Sequence, residues 1–257
     1  MLSRLDHIRI GVSDPAQAAI DYAALLGPVA SPKPLATNGG IRVELAGVGL
    51  ILVESPEERC GVQGLAFAGS LPVSRSIPNE GAADEGRKLS LAKTRGIPIE
   101  LIDAVEPADP GESVDRASAG QERGWRPAAD GAERLDHAVV LTSDHAAALR
   151  LYGERLGLRL ALDRSFPKRG VRLLFFRVGG VTIEIGGPLE PPAVPSSRDG
   201  FGGLAWRGQD VLAWRERLLA EGFDVSEPRP GHKAGTRVCT VRNRTAGVPT
   251  LLISPDA

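Results

Sequence analysis

Residues 5–27, LDHIRIGVSDPAQAAIDYAALLG, return 130 positions later as LDHAVVLTSDHAAALRLYGERLG, residues 135–157. Leu5, Asp6, His7, Ser13, Asp14, Ala16, Ala18, Tyr22, Leu26 and Gly27 all recur without a gap, which marks a duplication. A duplicated chain folds as repeated units, so the shape of one copy constrains the whole. Each copy opens with a β-branched run, IRIGV or AVVLT, followed by Ser-Asp, whose side-chain oxygens suit a helix N-cap. Apolar residues then fall at helical spacing and stop at Gly27 or Gly157, where a left-handed C-cap is expected.

Strand-like runs follow the helix. They are GIRVELAG and VGLILVES in the first copy, and LRLALD, GVRLLFFRV and GVTIEIGGP in the second. The unit reads βαβββ, with its second strand poorly marked in the first copy. A weaker repeat lies behind each unit: GLAFAG (64–69) matches GLAWRG (203–208), and TRGIPIELI (94–102) matches TAGVPTLLI (245–253). Four modules result. The fourth is complete, with the helix DVLAWRERLLAEG and the closing strands RVCTVRN and VPTLLIS. The second is eroded, because PVSRSIPNEGAADEGRK has neither an apolar stripe nor helix-forming composition and reads as loop. The expected fold is α+β, four βαβββ modules forming two curled mixed sheets with helices outside. An N-terminal domain spans 1–104, a Pro- and Gly-rich linker 105–132, and a C-terminal domain 133–257.

Composition narrows the function. The 257 residues carry 31 basic and 32 acidic side chains, a formal net charge of -1, so no global field attracts nucleic acid or anionic lipid. Two isolated cysteines, Cys60 and Cys239, exclude a CxxC zinc knuckle and make a disulfide framework improbable. Neither a secretion signal nor an 18-residue apolar run is visible, which reads as a soluble cytoplasmic protein whose partner is a small molecule, with a homodimer open. A GxSxG elbow, a Walker A loop, an HExxH helix and a dinucleotide-binding loop are all missing from the sequence.

Four βαβββ modules with LDH in the opening strand resemble the vicinal oxygen chelate superfamily, which includes glyoxalase I, methylmalonyl-CoA epimerase, extradiol dioxygenases and the bleomycin-resistance proteins. The resemblance implies a divalent metal (Mn, Fe, Ni or Zn) held by residues of the opening and closing strands and chelated by vicinal substrate oxygens. Carried over by position, His7 and His137 match the opening-strand ligand, with Gly64 and Gly203 in the same place in modules two and four. Glu100 and Glu184 match the closing-strand glutamate, with Leu52 and Leu251 opposite them. Strand alternation puts both glutamates on the face away from the helices.

Module pairing then decides the site. If each half folds on itself, His7 meets Glu100 in one cavity and His137 meets Glu184 in the other, too few ligands for a tight divalent site. If modules pair across the halves, Glu100, His137 and Glu184 meet and can hold a metal, with His7 as a further ligand or a remnant. The second arrangement leads to a metal-dependent lyase, isomerase or dioxygenase in which Glu184 or Glu100 moves a proton. The alternative is a metal-free protein that sequesters a small molecule, as the bleomycin-resistance relatives do, and the two glycines and two leucines at expected ligand positions favour it. Substrate-binding candidates are Arg9, two residues from His7 on the same strand face, and His232, Lys233 and Arg237 in the Gly-rich loop PGHKAGTR. SFPKRG reads as a turn between strands, in which Lys168 and Arg169 could help hold an acidic substrate, and His145 reads as a cap or surface residue. Phe175 and Phe176, being adjacent, face opposite ways, so at most one lines a pocket.

Overall fold

Aspartate caps organise the helices. Asp14 Oδ1 accepts from the backbone N–H groups of Ala16 and Gln17 at 2.9 and 3.0 Å. Asp144 does the same for Ala147, and Asp210 for Leu212 and Ala213. The first helix, α1 (Pro15–Leu26), ends at Gly27 with φ 87°, the positive-φ stop expected from the sequence. Its counterpart begins as α2 (His145–Ala148) and widens to i→i+5 bonding over Leu149–Arg155 before Gly157 at φ 72°. The last is α3 (Val211–Ala220).

The computed structural model describes residues 1–28, 30–35, 40–45, 47–71, 87–89, 93–102 and 129–256. Of the module-two segment read as loop (72–88), residues 72–86 lie outside the described residues, as does the linker up to residue 128, while Arg87–Lys88 form a short strand instead. Fifteen strands among the described residues form two mixed sheets. The first contains β1 (Leu2–Val12), β2 (Ser31–Pro34), β3 (Ile41–Leu45), β4 (Val48–Glu54), β5 (Gly61–Gly69), β6 (Arg87–Lys88) and β7 (Ile99–Ile102), in the order β2-β3-β4-β1-β5-β7-β6. The second contains β8 (Ala132–Leu141), β9 (Arg159–Phe166), β10 (Val171–Val178), β11 (Val181–Pro188), β12 (Gly200–Gly208), β13 (Arg229–Pro230), β14 (Thr236–Val241) and β15 (Thr250–Pro255), in the order β13-β14-β15-β12-β8-β11-β10-β9. Opening strands pair antiparallel within each half, β1 with β5 and β8 with β12. Each half therefore builds its own sheet.

A β-bulge sits at each histidine. On β1, Leu5 pairs with Phe67 and His7 with Ala66, leaving Asp6 as the extra residue; on β8, Leu135 pairs with Trp206 and His137 with Ala205, leaving Asp136. The bulge turns the aspartate and the histidine to the same side, while Leu5, Ile8 and Ile10, or Leu135, Ala138 and Val140, stay buried toward the helices. Reciprocal bulges fall at Gln63 on β5 and Gly202 on β12. They make Gly64 and Gly203 the positional equivalents of His7 and His137.

The halves meet through helices and loops. One apolar core runs through both, with Tyr22, Leu25 and Leu26 of α1 in the same cluster as Trp214 and Leu218 of α3. Trp214 Nε1 donates to the Leu25 carbonyl at 2.8 Å and Tyr22 Oη to the Thr245 carbonyl at 3.0 Å, so module one packs on module four. Arg155 donates to the Lys93 carbonyl, and the Arg95 guanidinium grips Asp199 at 3.0 Å through both carboxylate oxygens, so module three packs on module two. His145, read from the sequence as a cap or surface residue, is buried, with Nε2 2.9 Å from the Arg172 carbonyl.

Candidate functional site

Sheet register fixes which side chains share the helix-free face. In the C-terminal sheet, His137 stands level with Thr182 on β11 and Ala205 on β12, and Ala205 with Leu251 on β15. Glu184 stands level with Val139, one position along the same face. His137 Nδ1 lies 2.9 Å from an Asp136 oxygen, so the carboxylate accepts there and leaves Nε2 facing Glu184, whose Oε2 is 3.7 Å away. Burial raises the Asp136 pKa, but the His137 hydrogen bond and the charges of His137, Arg134 and Arg207 outweigh it and hold the group ionised below its ordinary range. Glu184 is pushed the other way. Burial raises its pKa, assisted by Asp136 and opposed by His137 and His232.

In the N-terminal sheet the same construction repeats. His7 Nδ1 lies 3.1 Å from Asp6 Oδ2. The Asp6 carboxyl is held far below the usual carboxylate range, first by that hydrogen bond, against burial, and then by Arg4 at 2.6 Å and Arg42 at 3.5 Å. His7 is level with Gly49 on β4 and with Ala66 on β5, and Ala66 is level with Glu100 on β7, whose register partner on β6 is Lys88. A cavity of about 370 Å³ is lined by His7, Arg9, Gly64, Ala66, Leu89 and Glu100, among others. His7, Arg9 and Glu100 are therefore together.

The cross-half site is not formed. Glu100 belongs to the first sheet, and His137 and Glu184 to the second, because each opening strand pairs with strands of its own half. Each sheet keeps two of its four ligand positions: His7 and Glu100 with Gly64 and Ile51, or His137 and Glu184 with Gly203 and Leu251. The residue equivalent to Glu184 in module one is Ile51 rather than Leu52, since Arg9 pairs with Ile51 as Val139 pairs with Glu184, while Leu52 is fully buried under the helix. Among the described residues no group of three or more His, Cys, Asp or Glu is placed to hold a metal ion. The donors present do not fit a tight divalent site.

The loop candidates separate. His232 lies against Arg169, whose Nη1 is 2.9 Å from Nε2, and its charge reaches Glu184. Arg237 alternates with Val238, which packs with Ala205 and Ile253 on the helix-free face; it shares the opposite face with Cys239 and pairs with Asp256. Lys233 is exposed and accepts a hydrogen bond at its carbonyl from Thr236. The loop thus contributes one group, His232, to the site.

A feature the sequence reading passed over is the apolar half of this face. Leu162 on β9 pairs with Phe175, and Phe175 with Glu184, which continues to Val139. Leu173 and Leu141 follow in the next row, and their Cδ2 atoms would lie 3.3 and 3.9 Å from a Cβ added at Gly186. Leu141 is 51% exposed and Leu162 46%. The face is divided, with Glu184 at the boundary between an apolar shelf and a polar end holding His137, Thr182, Arg177 and Arg207. Alternation of apolar residues on both faces of β10, LLFF, is the signal that could have revealed it.

Residues 136–240 match the model of the Glyoxalase/Bleomycin resistance protein/Dioxygenase superfamily. Solved structures agree over the whole length. A mutant of 4-hydroxymandelate synthase from Streptomyces coelicolor superposes with a TM-score of 0.66 at 15% identity, covering 99% of this chain and 93% of that one. BphC, a halotolerant catechol dioxygenase, gives 0.68 at 14%, covering 99% and 87%. The chain has the fold that these two structures share. Methylmalonyl-CoA epimerase from Mycobacterium tuberculosis is 25% identical over 51% of this chain and 93% of its own, with a TM-score of 0.42. No curated protein matches the sequence. Within this glyoxalase-like fold, the stretch recognised by the family model contains His137, Glu184 and the whole apolar shelf.

Proposed function

We propose that the C-terminal sheet of this glyoxalase-like chain binds a small molecule without a resident divalent metal. The ligand is oxygen-bearing at one end and apolar at the other. The observation that carries this reading is the sheet order, which divides the four candidate ligands two and two and leaves Gly203 and Leu251 where the C-terminal set would be completed. The polar end supplies His137 Nε2 and the Glu184 carboxyl, which accept or donate hydrogen bonds to ligand oxygens. The apolar end supplies Phe175, Leu162 and Leu141, and burying such a shelf contributes about 25 cal/mol per Å² of apolar surface removed from water. This is sequestration chemistry, with specificity set by a few polar groups beside an apolar wall.

The metal-dependent reading keeps one supporting observation. Asp136 behind His137 is the arrangement that orients a ligating imidazole, and Glu184 stands in front of it. On that reading, substrate oxygens and water supply the remaining donors.

A binding screen in the presence of EDTA separates the two. Aromatic and branched carboxylates, hydroxy acids and phenols are tested by calorimetry on the native chain, on Phe175→Ala and on His137→Ala. Expected is chelator-resistant binding that weakens about tenfold or more in each variant. Binding that appears only after divalent metal is restored would transfer the function to the metal-dependent reading.

A further inference from the structure

The N-terminal cavity is unlike the C-terminal face. It is a small, half-open cleft, and its walls carry opposite charges. Arg9 projects into it from β1 and Glu100 from β7. Among the described residues, neither has a hydrogen-bond or ion-pair partner. Asp6 is already neutralised by Arg4, Arg42 and His7, so it is not left to attract a cation. Arg9 stands level with Gly64 and Glu100 with Ala66, two strands apart and two residues offset along β5. From strand spacing and rise, their Cα atoms are about 12 Å apart, and both side chains lean over a floor of Gly64 and Ala66. His7 stands two residues from Arg9 on β1 and level with Ala66 and Glu100, and its Nδ1 is engaged by Asp6, so Nε2 is the atom it offers. Pro98 and Leu89 close one side with apolar surface.

We propose that this cavity is a second binding site, and that its ligand is a small zwitterion of amino-acid size. The guanidinium takes the carboxylate through two parallel N–H donors. The Glu100 carboxylate takes the ammonium, and His7 Nε2 accepts from or donates to whatever lies between. Arg9 is exposed and Glu100 half-buried, so water satisfies either charge in the free protein, and a molecule carrying both signs is the one that engages both walls at once. A volume of about 370 Å³ admits a molecule of that size. The site is independent of the C-terminal reading, because no residue is shared between them.

Calorimetry in EDTA with the standard amino acids, and with acetate and methylammonium as single-charge controls, tests it on the full chain. Expected is binding of one or more amino acids, with neither control binding, weakened about tenfold or more by Arg9→Gln and by Glu100→Gln and unchanged by His137→Ala. Arg9 is exposed and Glu100 half-buried, so neither substitution should disturb the fold, and circular dichroism checks that. Absence of binding by every amino acid at about 10 mM, or binding that survives both substitutions, would overturn the proposal. Loss of binding in His137→Ala would move the ligand to the C-terminal face instead.

Discussion

At the scale of single residues, two carboxyls beside one histidine, His137, are tuned in opposite directions. Asp136 is held ionised by its hydrogen bond and its arginines, whereas Glu184 is resisted by burial. A carboxyl whose pKa is raised in the folded state binds its proton more tightly there than in the unfolded chain. Its ionisation therefore costs no stability below the ordinary carboxylate range and an increasing amount as pH rises through and above it. Glu184→Gln removes that cost, so its melting temperature should exceed the native one by about 2–4 °C at pH 7 and match it near pH 4. Differential scanning calorimetry at the two pH values reads this directly. A lower melting temperature at pH 7 would mean that the attraction between Glu184 and His137 outweighs burial.

At the scale of elements, the bulges decide what the repeat means. Gly203 has φ 136°, and a Cβ there would lie 2.3 Å from the Pro249 carbonyl oxygen. Gly203→His should therefore lose several kcal/mol of stability rather than gain a ligand. Leu251 is a different case, since it is partly exposed and two strands from His137. Leu251→Glu should add a third donor beside His137 and Glu184 and raise Zn²⁺ or Ni²⁺ affinity about tenfold or more, measured by competition with a chromophoric chelator. Unchanged affinity would show that donor count is not what limits the site.

The same elements show what was legible beforehand. Strand, cap, helix and glycine stop could be read because each leaves a local signature, as Asp14 and Gly27 do. The equivalence of His7 with Gly64 was legible from the weak repeat. The assignment of Leu52 was one residue off, because fully apolar β4 carries no alternation to show which residue faces which way. Bulges at Asp6 and Asp136 leave no composition signal, so the pairing of each aspartate with its neighbouring histidine was not anticipated. The partnership of modules in sheets depends on long-range strand pairing, which no local pattern encodes.

At the scale of the molecule, cross-half contact exists but runs through helices and loops, module one on four and three on two. Arg95 is central to it. It reaches Asp199, whose side chain is fully buried, along with the Ser196 carbonyl at 2.8 Å and Asp144 at 3.7 Å. Removing one partner of such a pair strands a buried charge, so Arg95→Ala should cost about 3–5 kcal/mol in urea unfolding. A cost below about 1 kcal/mol would mean that the Arg95 ion pair is not what holds the halves together.

Self-pairing of each half also dictates the metal chemistry, and one titration tests that most directly. Purified chain, stripped with chelator and dialysed, is titrated calorimetrically with Mn²⁺, Fe²⁺, Ni²⁺ and Zn²⁺, alongside the His137→Ala/Glu184→Ala double variant. With two donors per sheet, no ion should bind more tightly than roughly micromolar, and native and double variant should give the same isotherm. One equivalent bound tightly by the native chain and lost in the double variant would contradict the division of ligands between the two sheets as the limit on this site.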